Sequence, residues 1–221
     1  MKGILFDLDG TLIDSMGVWQ GLDQKYVESK GHVFDPRTTE ELKAVSLEMA
    51  PAYFNKIYDM GATLEDMLEF MYGTLEVYYR EKFVLKEGVQ KRLEELRAAG
   101  YRMCITTATE SPLTNLLVGR LGLDDFMEFV LTPDRAETQK NDPAFLRMAM
   151  EKLGLTPENT YVFDDALYAL EIAKDLGMNT VGIYDATSGA DDEHIRAIAD
   201  HYIVSFADFD IRQLPHTEMP E

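Results

Sequence analysis

Six short apolar runs, separated for the most part by helix-like stretches, limit what this chain can fold into more than any other feature. Ile4-Leu5-Phe6 ends at Asp7, and Met103-Cys104-Ile105 ends at Thr106-Thr107. Phe129-Val130-Leu131 is a shorter signal. Tyr161-Val162-Phe163 ends at Asp164-Asp165, the run Thr180 to Tyr184 ends at Asp185, and Tyr202-Ile203-Val204 comes last. Short strands that alternate with helices pair in parallel through helical crossovers. The sequence therefore predicts an α/β chain, a Rossmann-like, doubly wound parallel sheet.

The helices between these runs carry their own signals. Over 87–99, Val89, Leu93 and Leu96 share one face, and the pattern stops at Gly100. Asp142 and Pro143 read as an N-cap and first helical residue, with the helix ending before Gly154. A further helix over 166–176 runs to Gly177. Residues 15–84 differ, because they hold no convincing strand. Trp19, Leu22 and Tyr26 share one helical face there, and Leu64, Met67, Leu68, Met71, Leu75, Tyr78 and Tyr79 share another. Pro36 and Pro51 break the segment and Gly61 marks a turn. The expected organisation is a core domain of residues 1–14 and 85–214, with a small all-helical domain, 15–84, inserted after the first strand. The polar end from Leu214 to Glu221 reads as frayed.

With 221 residues the chain is long enough for a real core. Forty acidic residues against 21 basic ones give a net charge of −19, which repels polyanions, so nucleic acid and anionic membrane surfaces are not expected partners. Cys104, alone, excludes an intrachain disulfide and sits in an apolar run. The chain starts directly on a strand-like run rather than on a basic leader, and no stretch is long and apolar enough for a membrane span. The expected address is the cytoplasm.

Every notable polar group follows a strand candidate, and in open parallel sheets ligands bind beyond the carboxyl ends of the strands. Asp7-Leu8-Asp9-Gly10-Thr11 places two carboxylates two residues apart, on the same side of extended chain. Such a pair can hold a hard cation or divide the roles of nucleophile and acid/base, or it can be a plain polar exit from a strand. Thr106-Thr107-Ala108-Thr109 offers hydroxyls and backbone N–H groups to phosphate oxygens, or an N-cap to the helix starting near Ser111. Lys140 stands just before the Asp142-Pro143 helix start and alone reads as solvated surface. Asp164-Asp165 is costly at the end of an apolar strand unless paired or metal-bound, and can also cap helix 166–176.

In order, these segments are acid pair, hydroxyl, lysine, acid pair. That order resembles the haloacid dehalogenase-like superfamily, whose four motifs are matched by Asp7-Leu8-Asp9-Gly10-Thr11, Thr107, Lys140 and Asp164-Asp165. The helical insert resembles that family's cap, and Ala173 to Met178 its segment after the fourth motif. The likeness covers nearly the whole chain and points to the β-phosphoglucomutase and phosphoglycolate phosphatase-like branch. Asn141 stands where the family has proline, and Leu47 where the mutase has an arginine that grips a second phosphate.

The resemblance implies a phosphatase of a small phosphorylated metabolite. Asp7 would be the nucleophile and Asp9 the acid/base. Thr107, the Ala108 N–H and Lys140 would hold the phosphoryl group, and Mg²⁺ would bind Asp7, Asp9 through its carbonyl, Asp164 and Asp165. A sugar phosphomutase, a 2-haloacid dehalogenase and a non-catalytic binding protein are the rival readings. Leu47 speaks against the first of these, Asp9 with the Asp164-Asp165 pair against the second, and the intact motifs against the third. Trp19, Tyr53, Phe54 and Tyr58 are candidates for an aromatic cap face, and Arg37, Lys43 and Lys56 are the nearby cations. No role falls to His32, His194, His201 or His216.

Overall fold

The computed structural model describes residues 2–42, 45–189 and 191–214. They form two compact units, Met1–Met16 with Phe83–Glu221, and Gly17–Lys82.

The first unit is built on six parallel strands: β1 (Gly3–Phe6), β2 (Arg102–Thr106), β3 (Val130–Leu131), β4 (Thr160–Asp164), β5 (Asn179–Ile183) and β6 (His201–Ile203). Their order is β3-β2-β1-β4-β5-β6. The chain builds outward from β1 through β2 to β3, then returns to the other side of β1 with β4. The carboxyl ends of β1 and β4 therefore flank the point where strand order reverses, which is where such sheets open a crevice. Every residue of β1 and β4 is buried, as expected for central strands covered on both faces.

Alternation assigns these strand residues to two cores. Leu5, Cys104 and Val162 pack with Phe145, Leu146 and Ala149, which lie on one stripe of the helix Pro143–Lys152. Phe6 and Phe163 point the other way, with ring centroids 4.8 Å apart, and Phe163 stacks on Phe206 at 6.3 Å. Each such fully buried side chain contributes about 1.5–3 kcal/mol relative to exposure, so the strand ends are held on a rigid platform.

The helices, in chain order, are α1 (Met16–Gln20), α2 (Leu22–Ser29), α3 (Arg37–Leu42), α4 (Ala50–Tyr58), α5 (Leu64–Val77), α6 (Val89–Ala98), α7 (Ser111–Val118), α8 (Pro133–Ala136), α9 (Pro143–Lys152), α10 (Leu167–Asp175) and α11 (Asp191–Ile198). Asp142 caps α9 as its sequence predicts, its carboxylate accepting from the Ala144 N–H at 2.8 Å. The other two capping alternatives differ from the structure. Glu110 occupies the N-cap position of α7 and Ala166 that of α10, which leaves the hydroxyls at 106–109 and Asp165 to other partners. β5 and β6 each end one residue earlier than their apolar runs, leaving Tyr184 and Val204 exposed.

The second unit is helical and has its own core of Tyr26, Val27, Ala50, Phe54, Ala62 and Met67. The Tyr26 ring meets Phe54 and Phe70, and its hydroxyl donates to Asp66 at 2.6 Å. Two local expectations change here. The face of Trp19, Leu22 and Tyr26 spans two helices, because the chain breaks at Gly21. Pro51 sits in the first turn of α4, directly after Ala50, rather than interrupting a helix, since the first turn needs no N–H from it. α5 runs on into a π-helical turn, Tyr78–Lys82. No described helix is long and apolar enough to cross a membrane. The end of the chain beyond Leu214, with His216, and Lys43 in the second unit lie outside the described residues.

Candidate active site

Register brings the first carboxylates together. Phe6 pairs with Ile105 on one side and with Phe163 on the other, so one step further on Asp7 has Thr106 and Asp164 as neighbours. The Asp7 N–H donates to the Phe163 carbonyl at 2.9 Å, which holds the aspartate at the strand end. Carboxylate oxygens of Asp7, Asp164 and Asp165 all lie within 4.8 Å of one another, and all three residues are buried. Lys140, 3% exposed, arrives from the loop between α8 and α9. Its ammonium lies 2.5 Å from Asp7 Oδ1 and 2.7 Å from Asp164 Oδ2.

Three buried carboxyl groups thus meet one ammonium, and ionising all three would leave two negative charges unbalanced in a place where water does not screen them. Burial pushes the Asp7 carboxyl well above the usual range; Lys140 opposes this, while Asp164 and Asp165 add to it. Burial, with Asp164, also raises Asp165 to about 7, against the Thr11 hydrogen bond and the Lys140 and Lys86 charges. Burial disfavours the Lys140 charge, but Asp164 and Asp7 outweigh it and hold the ammonium protonated. Asp164 Oδ1 accepts from the Ala166 N–H at 2.9 Å. Its Oδ2 is buried and lies 2.7 Å from the Lys140 ammonium as an ion pair. A buried set of carboxylate oxygens at the ends of β1 and β4, whose full ionisation one ammonium does not balance, fits a hard divalent cation.

Asp9 stands apart from that group. Its carboxylate accepts from Ser15 at 2.7 Å and from Thr109 at 2.8 Å. Thr107 is buried just past β2, and its Oγ1 accepts from the Thr109 N–H at 3.1 Å. Thr106 Oγ1 instead turns back to the Phe6 carbonyl at 3.4 Å, so Thr107, rather than Thr106, is the hydroxyl at the loop. Ala108, between Thr107 and Thr109, is exposed.

Ser15 and Thr11 carry no individual signal in the sequence. Ser15 belongs to the first unit and braces Asp9. Thr11 Oγ1 donates to Asp165 Oδ1 at 2.8 Å. Gly10 has φ +85°, and a Cβ there would lie 2.2 Å from Asp165 Oδ2, so glycine meets both a backbone need and a close approach. Only the Gly-Thr that follows the acid pair signalled any of this.

In the second unit, Trp19, Leu22, Leu47, Phe54 and Met71 help to line a cavity of about 270 Å³. Tyr53 donates to Glu41 at 2.5 Å, and the Tyr58 hydroxyl lies 2.7 Å from Thr38 Oγ1. Arg37 is paired with Asp35 at 2.5 Å and Lys56 is exposed.

Known proteins resemble the chain over most of its length. Pyrophosphatase PpaX of Bacillus velezensis is 27% identical over 193 residues, 86% of each chain. A phosphoglycolate phosphatase of Colwellia psychrerythraea is 28% identical over 188 residues, 81% of this chain and 83% of its own. Among solved structures, a HAD family hydrolase from Deinococcus radiodurans R1, with bound phosphate and sodium, has a TM-score of 0.73 at 22% identity over 94% of this chain and 92% of that one. The family model described as haloacid dehalogenase-like hydrolase matches residues 4–183, a span that holds all four polar segments, and the chain belongs to that family.

Proposed function

We propose that this protein is a Mg²⁺-dependent phosphatase that hydrolyses the phosphate monoester of a small soluble metabolite through an aspartyl-phosphate on Asp7. The observation that carries the reading is the convergence of Asp7, Asp164 and Asp165 within 4.8 Å of one another, with Lys140 the cation paired to two of them. Its relatives' names agree on phosphate release and differ in substrate.

Asp7, Asp164 and Asp165 would hold the cation together with the Asp9 carbonyl. Mg²⁺ suits such oxygen ligands and would supply charge that lets an anionic carboxylate approach an anionic phosphate. The chain's own groups do the rest. An Asp7 carboxylate oxygen attacks phosphorus, and the bond to the leaving oxygen breaks. Asp9 gives its proton to that oxygen. Water then attacks the aspartyl-phosphate, Asp9 takes the proton back, the Asp7–phosphorus linkage breaks, and inorganic phosphate leaves. Thr107, the Ala108 N–H and Lys140 hold the phosphoryl oxygens as charge spreads over them. Ser15 and Thr109 keep the Asp9 side chain in a fixed rotamer between the two proton transfers.

The second unit, Gly17–Lys82, is the cap that matches the leaving group. Leu47 leaves the cap without a cation at the place where the mutase has its arginine, which favours a singly phosphorylated substrate and release of phosphate over its return to a sugar. The partner is a phosphorylated metabolite rather than nucleic acid or membrane, and the site of action is the cytoplasm.

The test is phosphate release from a panel of phosphorylated metabolites with Mg²⁺, using Asp7→Asn as the blank. Release that needs both Asp7 and the metal is expected. Equal release by Asp7→Asn, or full turnover in chelator, removes the reading.

A further inference from the structure

Lys86 has no part in the chemistry above, yet its ammonium is committed to three acceptors. Nζ donates to the Gly10 carbonyl, to the Tyr184 carbonyl at 3.1 Å and to Asp185 Oδ2 at 3.0 Å. The lysine side chain is 18% exposed and that of Asp185 4%. Asp185 is itself fixed, because its Oδ1 accepts from the Thr187 N–H at 2.9 Å and from Thr187 Oγ1 at 2.6 Å. The Lys86 backbone is fixed too: its N–H donates to the Leu12 carbonyl at 2.9 Å, and Leu85 bridges to Ile13. A solvated surface lysine would share its charge with one carboxylate and move. This one spends two of its three protons on carbonyls, so what it fixes is backbone.

One of those carbonyls belongs to the Gly10–Thr11 peptide. The same segment controls Asp165 on both oxygens. Thr11 Oγ1 donates to Oδ1 at 2.8 Å, and the bare Gly10 Cα leaves room for Oδ2, where a Cβ would come within 2.2 Å. A continuous line of contacts therefore runs from Asp185, past the end of β5, through Lys86, Gly10 and Thr11 to Asp165.

We propose that Lys86 is a positioning residue for the cation site, setting the Asp165 carboxylate through the Gly10–Thr11 peptide without touching cation or phosphate. This rests on the reading of Asp7, Asp164 and Asp165 as that site. Groups that orient metal ligands from outside are worth roughly 10–100-fold in affinity. The rival explanation is charge alone, and it has the opposite sign. A lysine close enough to lower the Asp165 pKa also repels a bound cation, so deleting it would tighten binding.

The experiment measures Mn²⁺ binding to the metal-free full chain by loss of the free-ion paramagnetic resonance signal. Wild type, Lys86→Met and the double variant Lys86→Met/Asp185→Asn are compared, with circular dichroism and thermal unfolding of each metal-free protein. The double variant removes both charges together, so it leaves neither a buried unpaired aspartate nor a change in net charge. Both variants are expected to bind Mn²⁺ roughly tenfold more weakly than wild type, and the double variant to melt near the wild-type temperature. Wild-type or tighter affinity in either folded variant overturns the positioning role while leaving the cation site intact. Absence of Mn²⁺ binding by wild type overturns the cation site, and the role of Lys86 with it.

Discussion

Replacing Gly10 by alanine separates the cost of folding from the cost to the site. The residue sits at φ +85°, a left-handed conformation that costs alanine about 1–2 kcal/mol. The added methyl also meets Asp165, at 2.2 Å from Oδ2, 2.6 Å from Cγ and 2.7 Å from Oδ1. Ordinary contact needs about 3.5 Å, so the carboxylate must retreat by roughly 1 Å. That retreat strains the hydrogen bond from Thr11, worth about 1.5–3 kcal/mol with a charged acceptor. Gly10→Ala should therefore lose about 2–4 kcal/mol in urea unfolding of the metal-free protein. A 1 Å displacement in an active site costs about 10²-fold in rate. Phosphate release by the folded variant should accordingly fall by about that factor, with the Mg²⁺ needed for half-maximal rate shifted upward. A folded Gly10→Ala protein with wild-type rate and wild-type Mg²⁺ dependence would refute the claim that Asp165 must sit where it does.

Three other perturbations follow from the same geometry. Lys140→Met leaves three buried acids without their ammonium, and phosphate release at saturating Mg²⁺ should fall by about 10²–10³-fold, the effect of losing a charge-stabilising donor. Asp9→Asn should lose about 10²–10⁴-fold on alkyl phosphates, and much less on p-nitrophenyl phosphate, whose phenolate leaves without a proton; equal losses on both would contradict the acid role. Burial raises the Asp185 carboxyl, but the hydrogen bonds from Thr187 and Lys86 outweigh it and hold the group below its usual value. Its contribution to stability is therefore complete above the unfolded value of about 4 and is lost as pH falls through the folded one. Asp185→Asn should be less stable than wild type by about 2 kcal/mol at neutral pH, the gap closing below about pH 4 in a series of urea unfolding curves.

How legible all this is in the sequence depends on range. The strands could be read because each central strand is buried on both faces and so leaves an uninterrupted apolar run, as in Ile4-Leu5-Phe6 and Tyr161-Val162-Phe163. The helical crossovers make the strands parallel but do not set their order, which the structure supplies, and register then brings Asp7 beside Asp164. Lys140 was legible only through motif order, since a lysine in a loop carries no local sign that it will be buried. Ser15, Thr109 and Lys86 gave less. Each acts on a partner through a bond whose geometry exists only after folding, and serine, threonine and lysine in loops are ordinary. The helical insert is readable as helices but not in its breaks: Gly21 splits one face in two, and Pro51 lies in a first turn, because proline at a first turn and proline at a break look the same in sequence.

The central claim is that Asp7 becomes phosphorylated. The most direct measurement is peptide mass spectrometry after the protein is incubated with Mg²⁺ and acetyl phosphate, quenched in acid and reduced with borohydride, which converts an acyl phosphate to an alcohol. Reduction confined to position 7, and lost when Mg²⁺ is omitted, is the predicted result. Turnover without any reduced residue at position 7, or a label on a different carboxylate, would contradict it.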